Sequence, residues 1–121
     1  MARRRAKRRE RLKAPTADYA DADGNVLTLR GSLSAATRAR YARTLAGEEG
    51  SAASTREDVW QRACELLFEH LAVRWVIADA PIERERELLA RFRAASPAER
   101  AWVRGALREH CAEHFPDVQA P

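Results

Sequence analysis

The sequence predicts a mainly α protein, in which a small four-helix body follows an N-terminal β-hairpin and a disordered basic arm. Three observations support this fold class. Apolar residues recur every three or four positions through most of the chain after residue 55, helix-capping residues precede several of these stretches, and strand-like residues with a turn signal are found near the N-terminus. With 121 residues and 45% hydrophobic content, the chain is the size of one soluble domain.

The arm, predicted as residues 1–15, is defined by its charge. Residues 1–13 contain eight basic side chains and one acid, Glu10, whereas the remaining 108 residues contain fourteen basic and seventeen acidic side chains. The basic residues of the arm are Arg3, Arg4, Arg5, Lys7, Arg8, Arg9, Arg11 and Lys13. The chain therefore combines a cationic tail with a mildly acidic body, and not a broad basic surface.

The predicted hairpin covers about residues 18–30. Asp23 and Gly24 form a dipeptide that favours a two-residue type I′ turn, because both residues tolerate positive φ. That turn would pair Tyr19 with Thr28. An isolated hairpin is marginally stable in water, so it must pack against the helices or pair with another chain.

The single helical domain is predicted over residues 16–117, with a flexible loop at 46–54 and a tail at 118–121. Its helices are predicted at about 34–46, 55–79, 83–95 and 97–114. Ser32 or Ser34 caps the first helix, and Ser96 with Glu99 forms a capping box for the last one. The second helix is mostly apolar around its circumference, which is typical of a central element. The predicted core consists of Trp60, Leu67, Leu71, Trp75, Leu89, Phe92, Trp102 and Leu107.

The sequence contains no apolar run of the length that spans a bilayer or forms the centre of an export signal. We therefore expect a cytoplasmic protein that does not bind membranes. In that compartment Cys64 and Cys111 are expected to be reduced thiols in or near the core.

The C-terminal segment His110-Cys-Ala-Glu-His114 resembles the H-x-x-E-H zinc motif, because its two histidines lie one helical turn apart. A catalytic zinc needs a third protein ligand, and only seven residues follow, with Asp117 as their single acid. We therefore predict no metal and no cofactor, with His110 and His114 as weak metal candidates.

No nucleophile elbow, phosphate-binding loop or dinucleotide fingerprint is present, which predicts a protein that is not an enzyme. The predicted function is binding of nucleic acid, RNA or DNA, or of a ribonucleoprotein, through the arm and with little sequence specificity. Arg38, Arg40 and Arg43 are weaker candidates for the same contact. Two alternatives stay open: an acidic protein partner for the arm, and a helical interaction or adaptor module, including a homodimer, whose arm is only a solvated or targeting tail.

Overall fold

The computed structural model describes residues 15–48, 50–51 and 53–121. Within these residues the chain forms four strands and four helices. The strands are β1 (Thr16–Ala20), β2 (Val26–Arg30), β3 (Ala72–Ile77) and β4 (Ala80–Ile82). The helices are α1 (Ala35–Leu45), α2 (Arg56–Leu71), α3 (Glu85–Arg93) and α4 (Pro97–His114). Residues 1–14 of the predicted arm lie outside the described residues.

The predicted mainly α fold class is wrong, because the four strands form one antiparallel sheet in the order β1-β2-β3-β4. The N-terminal hairpin is present, but β2 also pairs with β3, which lies more than forty residues later in the chain. Helix α2 packs against β2 and β3, α3 packs against β3, and α1 and α4 pack against α2. The architecture is therefore α+β, with a helical layer against an antiparallel sheet.

The error arises in the predicted helix at 55–79, since α2 ends at Leu71 and the backbone of Ala72 is extended. Four of the six residues in β3 are β-branched or aromatic, which favours a strand. Leu71 and Trp75 are four residues apart and both are buried, so they imitate a continuing helical stripe. Pairing of β3 with β2 on one side and with β4 on the other gives the backbone groups of this central strand their hydrogen-bond partners.

The predicted register of the first hairpin is also wrong, by one residue, because Tyr19 pairs with Leu27 and not with Thr28. A five-residue loop, residues 21–25, replaces the two-residue turn. The Asp21 carboxylate stabilises this loop by accepting hydrogen bonds from two backbone amides within it, each at 2.9 Å. Because side chains alternate along a strand, the shift places Tyr19 on the same face as Leu27, towards the core.

A tight two-residue turn does occur, but between β3 and β4. Ala78 and Asp79 have φ angles of 50° and 65°, and the flanking residues Ile77 and Ala80 pair with each other. Two consecutive residues with positive φ are the pattern of a type I′ turn. The amide of Ala78 also donates a hydrogen bond of 3.0 Å to the side chain of Asn25, which connects this turn to the first hairpin.

We expect Ala78→Gly to stabilise the protein by about 0.5–1 kcal/mol, because the left-handed conformation costs a residue with a Cβ more than it costs glycine. The increase in unfolding free energy can be measured by urea denaturation. The matched control is Ala80→Gly. Ala80 is also exposed but lies in β4 and does not have a positive φ, so this substitution should be mildly destabilising. Equal effects of the two substitutions would contradict a strained turn.

The core lies between the sheet and the helices. Leu27 and Leu29 of β2 are fully buried. Phe68 of α2 is also fully buried, and its ring centroid lies 4.6 Å from that of Phe92 in α3 and 5.8 Å from that of Trp75 in β3. Phe68 therefore joins two helices and the sheet at one point.

Most of the predicted core is confirmed. The buried members are Leu67, Leu71, Trp75, Phe92 and Leu107, and the half-buried members that pack against them are Leu89 and Trp102. The prediction that Trp60 belongs to the core is wrong, since 38% of its surface is exposed. It lies in the first turns of α2, before the buried stretch of that helix begins at Ala63, and the guanidinium of Arg56 lies 5.7 Å from its ring centroid.

Candidate functional site

The predicted nucleic-acid-binding residues divide into two groups. Those of the arm lie outside the described residues, so their role stays a prediction: Arg3, Arg4, Arg5, Lys7, Arg8, Arg9, Arg11 and Lys13. The other three, Arg38, Arg40 and Arg43, all lie on α1. The structure gives these three different surroundings.

Arg38 is paired with an acid. Its guanidinium donates hydrogen bonds of 2.9 and 3.1 Å to the carboxylate of Asp117, and its Nε donates one of 3.3 Å to the carbonyl of Leu33. The guanidinium also lies 5.3 Å from the ring centroid of Phe115. Arg38 thus connects α1 to the segment that follows α4, and Asp117 neutralises its charge there.

The segment after α4 packs on the body. Val118 is only 6% exposed, and the hydroxyl of Tyr41 donates a hydrogen bond to the carbonyl of Gln119. Residues 118–120, predicted as part of a tail, therefore contact α1 and the core.

Arg40 and Arg43 are both exposed on α1. Arg43 lies in the last turn, where a cation is favoured by the negative end of the helix dipole. Arg40 lines a cleft of about 220 Å³ whose other charged residues include Arg62, Glu65 and Glu69. Because this cleft has mixed charge and Arg38 is paired elsewhere, the structure does not gather the three arginines of α1 into one basic surface.

Pro15, the first described residue, lies beside the connection between β2 and α1. The carbonyl of Pro15 accepts a hydrogen bond of 2.7 Å from the amide of Gly31, and Thr16 pairs with Arg30. A Cβ at Gly31 would lie 3.0 Å from that carbonyl oxygen and 3.3 Å from Nδ1 of His114. The backbone segments therefore approach closely where the arm joins the body.

A cavity of about 350 Å³ opens at this connection. No acidic side chain lines it, and its lining residues are Arg30, Ser32, Leu33, Ser34, Thr37 and His70. Within the described part of the chain, the side chains of Arg30, Ser32 and His70 have no hydrogen-bond or ion-pair partner. We call this the Arg30 cavity.

A second cavity of about 230 Å³ shares Arg30 and His70 with the first. It differs in charge, because Glu69, Glu83 and Glu85 contribute to its lining. Glu83 is paired with Arg74, with 3.3 Å between Oε1 and Nε. Arg30 thus lies at the border between an acid-free cavity and an acidic one.

The two histidines of the zinc-like motif do share one face of α4, with their ring centroids 4.4 Å apart. His110 is fully buried, and both of its ring nitrogens are in hydrogen bonds: Nδ1 lies 2.8 Å from the hydroxyl of Tyr19 and Nε2 lies 2.7 Å from the carbonyl of Arg30. Since a carbonyl can only accept, Nε2 carries the proton and the tyrosine donates to Nδ1. His110 therefore offers no unoccupied nitrogen to a metal in this arrangement.

Burial lowers the pKa of His110, and the nearby ring of His114 lowers it further, against the opposing effect of the hydrogen bond to Arg30. Burial likewise raises the pKa of Tyr19 to about 12. Both groups are therefore neutral at pH 7. Across residues 15–48, 50–51 and 53–121, no three His, Cys, Asp or Glu side chains are grouped so that they could hold a metal ion.

Cys64 and Cys111 are buried free thiols. Burial raises the pKa of each to about 11. A thiol with such a pKa is protonated at neutral pH, whereas nucleophilic attack and metal binding use the thiolate. The two cysteines thus have the character of small hydrophobic core residues.

The comparison with known protein families, curated proteins and solved structures finds no match to this chain. None of the described helices is both long and apolar enough to cross a membrane.

The Arg30 cavity is not apparent from the sequence alone. Arg30 ends β2, Ser32 follows it closely, and His70 lies at the end of α2, forty residues away. These residues meet because β3 pairs with β2, whereas the sequence pattern predicts a helix over the residues of β3. Locally, the sequence shows only that Arg30 is followed by Ser32 and Ser34.

Proposed function

We propose that the protein binds nucleic acid, RNA or DNA, with little sequence specificity, through the basic side chains of residues 1–13. The observation that supports this proposal is the segregation of charge: eight basic residues and one acid in the arm, against fourteen and seventeen in the remaining chain. Such a cluster gains affinity by releasing the counterions condensed on a polyphosphate, and this does not require a fixed geometry. The arm contains no aromatic residue to stack on bases, so little sequence preference is expected.

The body is proposed to have no catalytic role and to work in the cytoplasm. The protonated state of Cys64 and Cys111 and the engagement of both nitrogens of His110 support the first point. Two free thiols are compatible with a reducing compartment, which supports the second.

The test is a neutral-arm variant, in which glutamine replaces each of the eight basic residues of residues 1–13. We expect its affinity for a 20-nucleotide single strand and for a duplex of equal length to fall by about a thousandfold at low salt, because several phosphate contacts are lost together. Fluorescence anisotropy at a series of salt concentrations measures both the affinity and its salt dependence. The slope of log K against log salt should be steep for the natural chain and much shallower for the variant.

A matched control replaces the six arginines of the arm with lysine, which preserves charge and length. This all-lysine arm should keep the steep salt dependence, because the attraction is Coulombic. Unchanged affinity of the neutral-arm variant would refute the proposal, and loss of binding with the all-lysine arm would show that guanidinium geometry, and not charge, is required.

A second candidate function is a protein-interaction module, favoured by the exposure of Trp60 on α2 beside Arg56. Tryptophan and arginine are enriched among residues that dominate binding at protein interfaces. The neutral-arm variant separates the two candidate functions. A partner protein that docks on the body would still bind this variant, and nuclease treatment would not disrupt the complex.

A further inference from the structure

We infer that the Arg30 cavity is a phosphate-binding subsite, which takes a phosphate group of the nucleic acid held by the arm. This inference rests on the proposed function for the source of the phosphate. Its structural basis is independent of the arm, because it depends on side chains of the body that converge on one cavity.

The cavity offers three donors without competing partners. The guanidinium of Arg30, the hydroxyl of Ser32 and a ring N–H of His70 have no hydrogen-bond or ion-pair partner among the described residues. A guanidinium can donate two parallel hydrogen bonds to phosphate oxygens, and an imidazole has at least one N–H in either protonation state. The donors come from β2, the following connection and α2, so an anion between them would be contacted from three sides.

The charges around the cavity favour an anion on one side of Arg30 only. The Arg30 cavity has no acidic lining residue, whereas Glu69 and Glu85 line the neighbouring cavity. These carboxylates repel a phosphate from the second cavity and leave the first as the accessible position. At about 350 Å³, the first cavity is large enough for a phosphate group and part of the sugar that carries it.

The position of the cavity favours a phosphate of nucleic acid over a free phosphate ion. The carbonyl of Pro15 is bonded to Gly31, the neighbour of both Arg30 and Ser32, so the arm joins the body at the rim of the cavity. A strand bound by the arm would therefore be held close to the cavity at high effective concentration. One weak phosphate contact could then add measurably to the total affinity.

The first experiment titrates inorganic phosphate into the full chain and into the neutral-arm variant, followed by ¹H–¹⁵N NMR. We expect saturable shifts of the amides of residues 31–34 and of the ring of His70 in both proteins. Arg30→Gln should abolish these shifts. The matched control, Arg108→Gln, removes the same charge from an exposed residue that lines neither cavity and should leave the shifts intact.

The second experiment measures binding of a 20-nucleotide single strand to Arg30→Gln and Arg108→Gln in the full chain. We expect Arg30→Gln to lower the affinity about tenfold, the effect of one charge-assisted hydrogen-bonded contact, and to reduce the salt slope by about one. His70→Gln should lower the affinity by a smaller factor. Native NMR spectra of each variant show whether it has folded.

The outcomes separate this inference from the proposed function. Loss of strand binding in the neutral-arm variant, together with equal affinities of Arg30→Gln and Arg108→Gln, would support the arm and overturn the subsite. Phosphate shifts that survive Arg30→Gln would overturn it as well. Phosphate shifts that depend on Arg30, without an effect of Arg30→Gln on strand binding, would overturn nucleic acid as the source and identify a free phosphate compound instead.

Discussion

Phe68→Ala is expected to lower the free energy of unfolding by about 3–5 kcal/mol, the range for a large aromatic residue removed from a core. Phe68 is fully buried and packs against Phe92 on one side and Trp75 on the other. Alanine would leave a cavity where α2, α3 and the sheet meet. Since a domain of this size is stabilised by only about 5–15 kcal/mol, we expect the melting temperature to fall by about 15 °C.

The matched control is Trp60→Ala on the same helix. It removes a larger aromatic ring, but Trp60 is 38% exposed, so the expected loss is about 1 kcal/mol or less. Calorimetry or denaturant unfolding of both variants gives the comparison. A larger loss for Trp60→Ala than for Phe68→Ala would contradict the packing of α2 and would favour the core that the sequence pattern predicted.

The N-terminal ends of α1 and α4 could be predicted from sequence because their determinants are local. Ser34 caps α1, and Ser96 with Glu99 forms the capping box of α4, each within three residues of its partner. A side chain that bonds to a nearby backbone amide leaves a recognisable spacing in the sequence. The capping box therefore predicts the start of α4 at Pro97 to the residue.

The sheet could not be predicted in the same way, because the pairing of β2 with β3 joins residues such as Leu27 and Trp75 that are distant in sequence. The spacing of Leu71 and Trp75 fits a helix and does not reveal that the chain leaves the helix between them. The residues of the Arg30 cavity depend on the same pairing, so a wrong assignment of β3 also concealed the candidate site. Charge segregation, by contrast, is a property of composition and was visible from the sequence alone.

His110→Leu is the second substitution with a large expected effect, a loss of about 2–4 kcal/mol in the free energy of unfolding. Leucine fills much of the volume but removes both hydrogen bonds of the buried ring. The carbonyl of Arg30 and the hydroxyl of Tyr19 would each lose a partner, at about 1–3 kcal/mol for a group that stays buried and unpaired. Tyr19→Phe removes only one of the two bonds and should cost about 1 kcal/mol, which makes it the partial control.

The same histidine should make the natural protein sensitive to acid. Because burial lowers the pKa of His110 in the folded state below its ordinary value near 6.5, the unfolded chain binds a proton that the folded chain excludes. The contribution of neutral His110 is therefore fully present above about pH 7.5 and decreases as the pH falls through 6.5. We expect the free energy of unfolding to decrease between pH 7.5 and pH 5.5.

This pH window distinguishes His110 from the carboxylates. Backbone and side-chain hydrogen bonds lower the pKa values of Asp21, Asp58 and Glu99, so the stability that these groups contribute is lost only at more acidic pH, below about 4. Urea unfolding in a buffer without phosphate should show the loss between pH 7.5 and pH 5.5 in the natural chain and in His70→Gln, but not in His110→Leu. If His110→Leu retained the same loss, another group would have to bind the proton, and the buried, neutral imidazole between Tyr19 and Arg30 would not be the source of the acid sensitivity.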